Sequence, residues 1–128
     1  MKLVITAAAL SIIACTTTAV AHHSFAAVFD RDRPFEITGT VTNVEWTNPH
    51  VWIYLDVENA ASEPESWAFE MGSPNGLFRR GWNHDSLVAG QTVTLSGVLA
   101  RDGSNTGAVR TVTLPGGEQL FGAQDESR

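Results

Sequence analysis

The chain has 128 residues, eight basic and fourteen acidic side chains, a formal net charge of −6 and one cysteine. A chain of this length is expected to form one domain and can bury a core without help from disulfides or metals. The acidic balance argues against a nucleic-acid partner, because affinity for a phosphate backbone depends mainly on basic charge.

Residues 1–21 have the composition of a secretory signal peptide. Lys2 is followed by an apolar run and then by the small residues around Ala21, which is the order of charged, apolar and cleavage regions in such signals. Cleavage after Ala21 predicts a soluble, periplasmic mature domain of residues 22–128, because the apolar run is too short to span a bilayer comfortably. The sequence that ends at Cys15 also resembles a lipobox, so a lipoprotein anchored at Cys15 is the second interpretation.

Cleavage would remove the single lysine, Lys2, and the single cysteine, Cys15. Subtracting Lys2 from the eight basic residues leaves seven arginines against fourteen carboxylates, a net charge near −7. Without thiols the mature chain cannot form disulfides, cysteine-ligated zinc sites or a thiol nucleophile. Without lysine it cannot form a Schiff base.

The first part of the mature chain predicts an extended arm followed by a turn. Residues 22–30 have no helical caps, and we expect Phe25 and Phe29 to dock this arm on the core. The charged residues 30–34 end in a proline, which favours an extended path after a turn.

Two long strands follow. Residues 35–46 are rich in Thr and Val, as strands are, and Gly39 permits a bend or bulge in this long strand. A turn at residues 47–49 leads into a second strand over residues 51–58. Its apolar residues alternate with polar and aromatic ones, so the odd-numbered side chains are predicted to face the core.

The second half of the chain predicts a short strand, a helix and further strands. Residues 66–71 form the third strand, and Ser73 is expected to cap a helix that ends at Gly81. Strand four follows a turn at Gly90 and is expected to bury Val93, Leu95 and Leu99. Strand five covers residues 108–114, and a last short strand covers residues 119–121.

This order predicts an all-β fold: a small five- to six-stranded OB-like (oligonucleotide/oligosaccharide-binding) barrel with one short helix between strands three and four. An open β-sandwich is the alternative. Such barrels host many unrelated activities, so the fold class does not assign a function.

Three histidines form the candidate metal site. If cleavage leaves His22 first, its amine, with an ordinary pKa of about 8, and its imidazole can bind one metal ion together. His50 and His23 can supply further nitrogens, which gives the histidine brace of copper proteins, and nitrogen-rich, roughly square ligation favours copper(II). The alternative is that the cleavage site happens to expose His22 and His23, while His50 bonds a backbone carbonyl at a strand end.

Trp46 and Trp52 flank the predicted turn at residues 47–49. Flat aromatic rings bind sugars or peptides on OB barrels, so these two side chains form a possible ligand platform. Trp67 and Trp82 are expected to pack in the core or at the end of the barrel.

Four motifs resemble a family of exported bacterial proteins catalogued as domain of unknown function 6152. They are residues 22–27, 44–50, 69–75 and 77–82, and the likeness extends over the whole mature chain. The resemblance implies export, a single small domain and no assigned activity. Its motif includes His22, His23 and His50 but does not require a histidine at position 84. Val28 departs from it, since an acidic residue often stands there.

We therefore expect a non-enzymatic periplasmic binding module with copper as its leading ligand. One alternative is a metal-free module that binds an envelope protein or glycan through Trp46 and Trp52. The other is a copper-dependent oxidase with an open coordination position. The glycines around Ser73 do not have the spacing of a nucleophile elbow, which argues against a serine hydrolase.

Overall fold

A computed structural model describes residues 24–122 of the chain. The elements in chain order are α1 (Phe25–Val28), β1 (Phe29–Glu45), β2 (Trp52–Glu58), β3 (Pro64–Glu70), α2 (Pro74–Arg79), β4 (Thr92–Ala100), β5 (Thr106–Thr113) and β6 (Gln119–Phe121). The all-β prediction is confirmed, since six strands form one sheet and the described helices have only four and six residues. Neither helix has the length and apolar character that crossing a bilayer requires.

The strands pair in the order β3-β2-β1-β4-β5-β6, and neighbours in this order are antiparallel. One additional pairing is parallel: β3 joins β5, with Ala68 opposite Thr106 and Glu70 opposite Ala108. The pairings of β1, β2, β3, β5 and β4 therefore form a closed cycle. β6 pairs with the end of β5, where Thr111 is opposite Phe121.

The core lies inside this cycle, and β2 supplies its centre. Val51, Ile53 and Leu55 are fully buried, as the period of two predicts. Phe69 from β3 and Leu77 from α2 are buried against them. Burial of these apolar side chains is the main favourable term in folding.

The predicted arm and turn before β1 are wrong, because residues 25–28 form one helical turn and β1 begins at Phe29. Phe29 is opposite Ala100 and Pro34 is opposite Val98, so the charged residues form a bulge in the strand. The Arg33 side chain donates a hydrogen bond to the Ala100 carbonyl at 3.2 Å, which links this segment to β4. Phe29 is buried as predicted, but in a second cluster with Val98, Ala100 and Ala108, and Phe25 packs against this cluster.

The bulge that was predicted at Gly39 lies further along β1, between Val41 and Asn43. Gly39 has another role: a Cβ there would lie 2.7 Å from the carbonyl oxygen of Asp56. The missing side chain therefore allows β2 to approach β1 closely.

The pairing of β4 with β5 is irregular between Ser96 and Gly97, where β5 has one extra residue, Arg110. Val93 and Leu95 are buried as predicted, but Leu99 is only half-buried. The prediction for Leu99 is wrong because the buried residues at this end of β4 are Val98 and Ala100, which pack with Phe29 in a second cluster.

α2 begins and ends where its capping residues indicate. The Ser73 hydroxyl accepts a hydrogen bond from the Gly76 N–H at 3.1 Å, and Pro74 is the first helical residue. Gly81 follows the helix with a φ of 93°, in the region that favours glycine. The helix lies between β3 and β4 in the chain.

Candidate functional site

The three predicted metal ligands divide between the described and the remaining parts of the chain. His22 and His23 lie outside residues 24–122, as do the signal peptide and Cys15. His50 lies two residues before the start of β2, and 30% of its side chain is exposed. The described chain therefore provides one of the three imidazoles.

The backbone around His50 is held by several hydrogen bonds. The Thr47 hydroxyl donates to the His50 carbonyl at 3.1 Å, and the peptide bond between Asn48 and Pro49 is cis. Val51 N–H donates to the Gly72 carbonyl at 3.0 Å, and the Val51 carbonyl accepts from Met71 N–H at 2.8 Å. The backbone of His50 and Val51 is therefore hydrogen-bonded to Thr47 and to the residues that follow β3.

The imidazole of His50 has a carboxylate partner in Glu70, the last residue of β3. His50 Nδ1 contacts Glu70 Oε1, and only 15% of the Glu70 side chain is exposed. When Nδ1 donates its proton to a carboxylate, the neutral ring carries its lone pair on Nε2. Metal-ligating histidines are commonly oriented by such a carboxylate.

Glu70 was missed by sequence reasoning. Strand alternation places Glu70 on the outer face, between the buried Phe69 and Met71, where a carboxylate is an ordinary residue and gives no signal of function. The partner of Glu70 was not predictable, because His50 and Glu70 belong to different elements. They meet through the pairing of Trp52 with Glu70 across β2 and β3.

The same face of the sheet continues from Glu70 through Trp52 to β1. Trp52 is opposite Glu70 on one side and opposite Glu45 on the other. The Tyr54 hydroxyl donates a hydrogen bond to Glu45 Oε2 at 3.0 Å. Burial and the adjacent Glu45 carboxylate raise the pKa of the Tyr54 phenol above its ordinary value, so the phenol stays a neutral donor.

Trp46 has a different set of neighbours from Trp52. Its ring is stacked on Phe78 of α2, with centroids 5.1 Å apart and planes within 3°. His84 and Trp82 approach its edge, with centroids at 4.8 Å and 6.5 Å. Within residues 24–122 the buried Trp46 indole N–H has no hydrogen-bond partner. The platform of Trp46 and Trp52 stays a prediction.

Of the three predicted metal ligands, His50 is the one within the described residues. Residues 24–122 contain no group of three or more His, Cys, Asp or Glu side chains arranged to hold a metal ion. His50 can supply one nitrogen ligand, with Glu70 behind it. His22 and His23, the predicted source of further nitrogen ligands, lie outside the described residues.

A groove lies on the outer side of β1, β2 and β3, with a volume of about 480 Å³. Apart from Ala68, its lining residues are polar or aromatic: Thr42, Asn43, Glu45, Tyr54, Ser66, Trp67 and Asn105. Sequence reasoning did not find this groove, because Asn105 precedes β5 and reaches β3 only through the parallel pairing.

Comparison with known proteins confirms the family resemblance. The model of a family of unknown function, DUF6152, matches residues 9–110, a range that includes all three predicted ligands and Glu70. No curated protein and no solved structure matches the chain. With most of its length matched, the chain belongs to the DUF6152 family of unknown function.

Proposed function

We propose that the protein is a periplasmic copper(II)-binding module in which His50 is the ligand supplied by the folded domain. The observation that supports this proposal is the contact between His50 Nδ1 and the largely buried Glu70 carboxylate. Such a carboxylate fixes the ring orientation and raises the basicity of the other nitrogen, which is the one that binds a metal.

In this proposal the start of the mature chain completes the ligand set. Cleavage after Ala21 gives His22 a free amine with an ordinary pKa of about 8, which can bind together with its imidazole. His23 offers a third ring. Amine and imidazole nitrogens without thiolates or several carboxylates favour copper(II) over calcium or magnesium, which prefer oxygen ligands.

We also infer that the domain is an OB-like barrel. The closed cycle of five strands, the long first strand and the position of α2 between β3 and β4 support this assignment. The fold contributes to the proposed site by bringing His50 beside Glu70, the last residue of β3. The chemistry depends on the side chains.

The first experiment is mass spectrometry of the exported protein, which should begin at His22. Copper(II) is then titrated into this mature protein and into His50→Ala and Glu70→Gln. We expect His50→Ala to weaken copper binding at least as much as Glu70→Gln, and Glu70→Gln to weaken it about 10- to 100-fold, the usual effect of losing an orienting partner. Copper should also raise the melting temperature of the wild type, since it binds the native state.

Two exposed residues provide matched controls. His84→Ala and Glu58→Gln remove the same side-chain types away from the His50–Glu70 contact, and both should keep the wild-type copper affinity. Equal affinity of the wild type and His50→Ala would refute the proposal. So would a first residue other than His22, or a lipid on Cys15, since either removes the amine. Copper-dependent oxygen consumption with ascorbate would instead identify an oxidase.

A further inference from the structure

We propose that the groove on the outer side of β1, β2 and β3 binds a segment of a neutral oligosaccharide. This site is separate from the copper proposal and requires neither Trp46 nor Trp52. The volume of about 480 Å³ lies within the range of about 300–1,000 Å³ that is usual for small-ligand sites.

The shape of the groove depends on a small residue beside a large one. Ala68 is directly opposite Tyr54 across β2 and β3, and Asn43 is opposite Tyr54 on the other side. Side chains that are directly opposite lie on the same face of a sheet. The methyl group of Ala68 therefore leaves space beside the Tyr54 ring.

The lining combines one aromatic ring with neutral hydrogen-bonding groups. A sugar ring has an apolar face of C–H groups and a rim of hydroxyls, so it needs a flat ring to lie on and both donors and acceptors around it. Tyr54 supplies the ring, since Trp67 is opposite the buried Leu55 and its indole is stacked on Phe69 on the core side of the sheet. The neutral polar groups are those of Thr42, Asn43, Ser66 and Asn105.

Several polar groups of the lining are already oriented by the protein. The Tyr54 hydroxyl donates to Glu45 at 3.0 Å, and the Ser66 hydroxyl donates to Asp56 Oδ1 at 3.3 Å. The backbone carbonyl of Asn105 accepts from Ala68 N–H at 3.0 Å, which joins this residue to the edge of β3. Groups fixed in advance lose less conformational entropy on binding.

The charge of the lining decides between ligand classes. Glu45 is the single carboxylate among the described lining residues, and they include no Lys, Arg or His. The chain as a whole has a net charge of −6. Phosphorylated or uronic-acid ligands would be repelled, whereas a carboxylate is a strong acceptor for sugar hydroxyls. A neutral saccharide is therefore the class of ligand that fits.

The test uses the mature protein and four hexasaccharides: cellohexaose, maltohexaose and chitohexaose as neutral ligands, and hexagalacturonate as an anionic one. Binding is measured by calorimetry and by tryptophan fluorescence. We expect at least one neutral hexasaccharide to bind saturably, and hexagalacturonate to bind more weakly. No saturable binding of any neutral hexasaccharide up to about 10 mM, or tighter binding of hexagalacturonate, would overturn the proposal.

Substitutions then locate the site. Ala68→Leu fills the groove without removing a hydrogen-bonding group, and we expect it to weaken binding at least about tenfold. Ala60→Leu is the matched control, because Ala60 is exposed in the turn before β3, and it should bind as the wild type does. Wild-type affinity in Ala68→Leu would refute the site.

Two further variants keep the test decisive. If Ala68→Leu fails to fold, Tyr54→Ala provides the same comparison by removing the ring, and wild-type affinity there would count against the groove. His50→Ala should keep full saccharide affinity. This result would separate the groove from the copper site, so that failure of either proposal is distinguishable from failure of the other.

Discussion

Among single residues, Gly97 shows how closely β4 approaches β5. A Cβ on Gly97 would lie 1.8 Å from the carbonyl oxygen of Ala108 and 3.1 Å from Cε1 of Phe35. The obstructing atom at 1.8 Å belongs to the backbone, so it cannot move aside as a flexible side chain would. Position 97 therefore requires glycine, because there is no room for a Cβ atom between β4 and β5.

We predict that Gly97→Ala lowers the free energy of unfolding by about 3 kcal/mol, the upper part of the usual range for overpacking. Urea denaturation of the variant and the wild type measures this loss. Gly116→Ala is the control, because nothing lies within 4 Å of a Cβ at Gly116, and we expect a change of less than about 0.5 kcal/mol. Equal unfolding midpoints for Gly97→Ala and Gly116→Ala would contradict the close approach.

Among the elements, α2 depends most visibly on its cap. It has only six residues, which is too short for a helix to be stable without tertiary contacts. Its Leu77 is buried in the core, and its Phe78 is stacked on Trp46. The Ser73 hydroxyl bonds the Gly76 N–H at the start of the helix, so the cap and the core contact act on the same short segment.

We predict that Ser73→Ala lowers stability by about 1 kcal/mol, the usual effect of losing a helix cap. Ser73→Asp should restore most of it, since a carboxylate accepts the same hydrogen bond and favours the helix N-terminus. Thermal unfolding measures both variants, and hydrogen exchange of the Leu77 amide reports on the helix itself. If Ser73→Asp is no more stable than Ser73→Ala, the hydroxyl does not act as a cap.

For the whole molecule, the pairing of β3 with β5 decides the architecture. Phe69 lies at this junction: it is fully buried, it is opposite Gly107 across the parallel pair, and its ring is 5.2 Å from that of Phe35. A Cβ on Gly107 would lie 2.6 Å from the Phe35 ring and 3.2 Å from the Phe69 ring. Two aromatic rings thus fill the space that a glycine leaves between β1, β3 and β5.

We predict that Phe69→Ala lowers the free energy of unfolding by about 3–5 kcal/mol, because it removes a large buried ring and leaves a cavity. Phe121→Ala is the matched control, since 61% of Phe121 is exposed, and it should cost much less. Denaturant unfolding of the two variants makes the comparison. Similar losses in both would mean that Phe69 does not hold the junction together.

Local rules predicted most of the elements but none of the irregular pairings. Alternation identified the inward residues of β2, and Ser73 and Gly81 identified the ends of α2. Both signals act between residues close in sequence. The bulges in β1 and β5 were misplaced or missed, because they depend on the strand that lies opposite. Leu99 was assigned to the core, whereas Val98 and Ala100 are the buried residues at this end of β4, because they pack with Phe29 in a second cluster.

The candidate sites also contain some residues that the sequence could identify and others that only the strand pairing brought together. His50 was singled out from the sequence because its residue type and its position after a turn are visible there. Glu70 became relevant only when the pairing of β2 with β3 placed it against His50. The groove likewise required Asn105 to reach the edge of β3 through the parallel pairing.

By itself, the sequence determined the all-β class, the capped helix and the residue types available for chemistry, because these follow from local periodicity, capping and composition. The tertiary structure alone decided which distant side chains meet: Glu70 with His50, and Asn105 with Tyr54 in one groove. The physical reason is that hydrogen bonds between strands join residues far apart in the chain. Their register is set by the packing of the whole core and by the bulges that interrupt it.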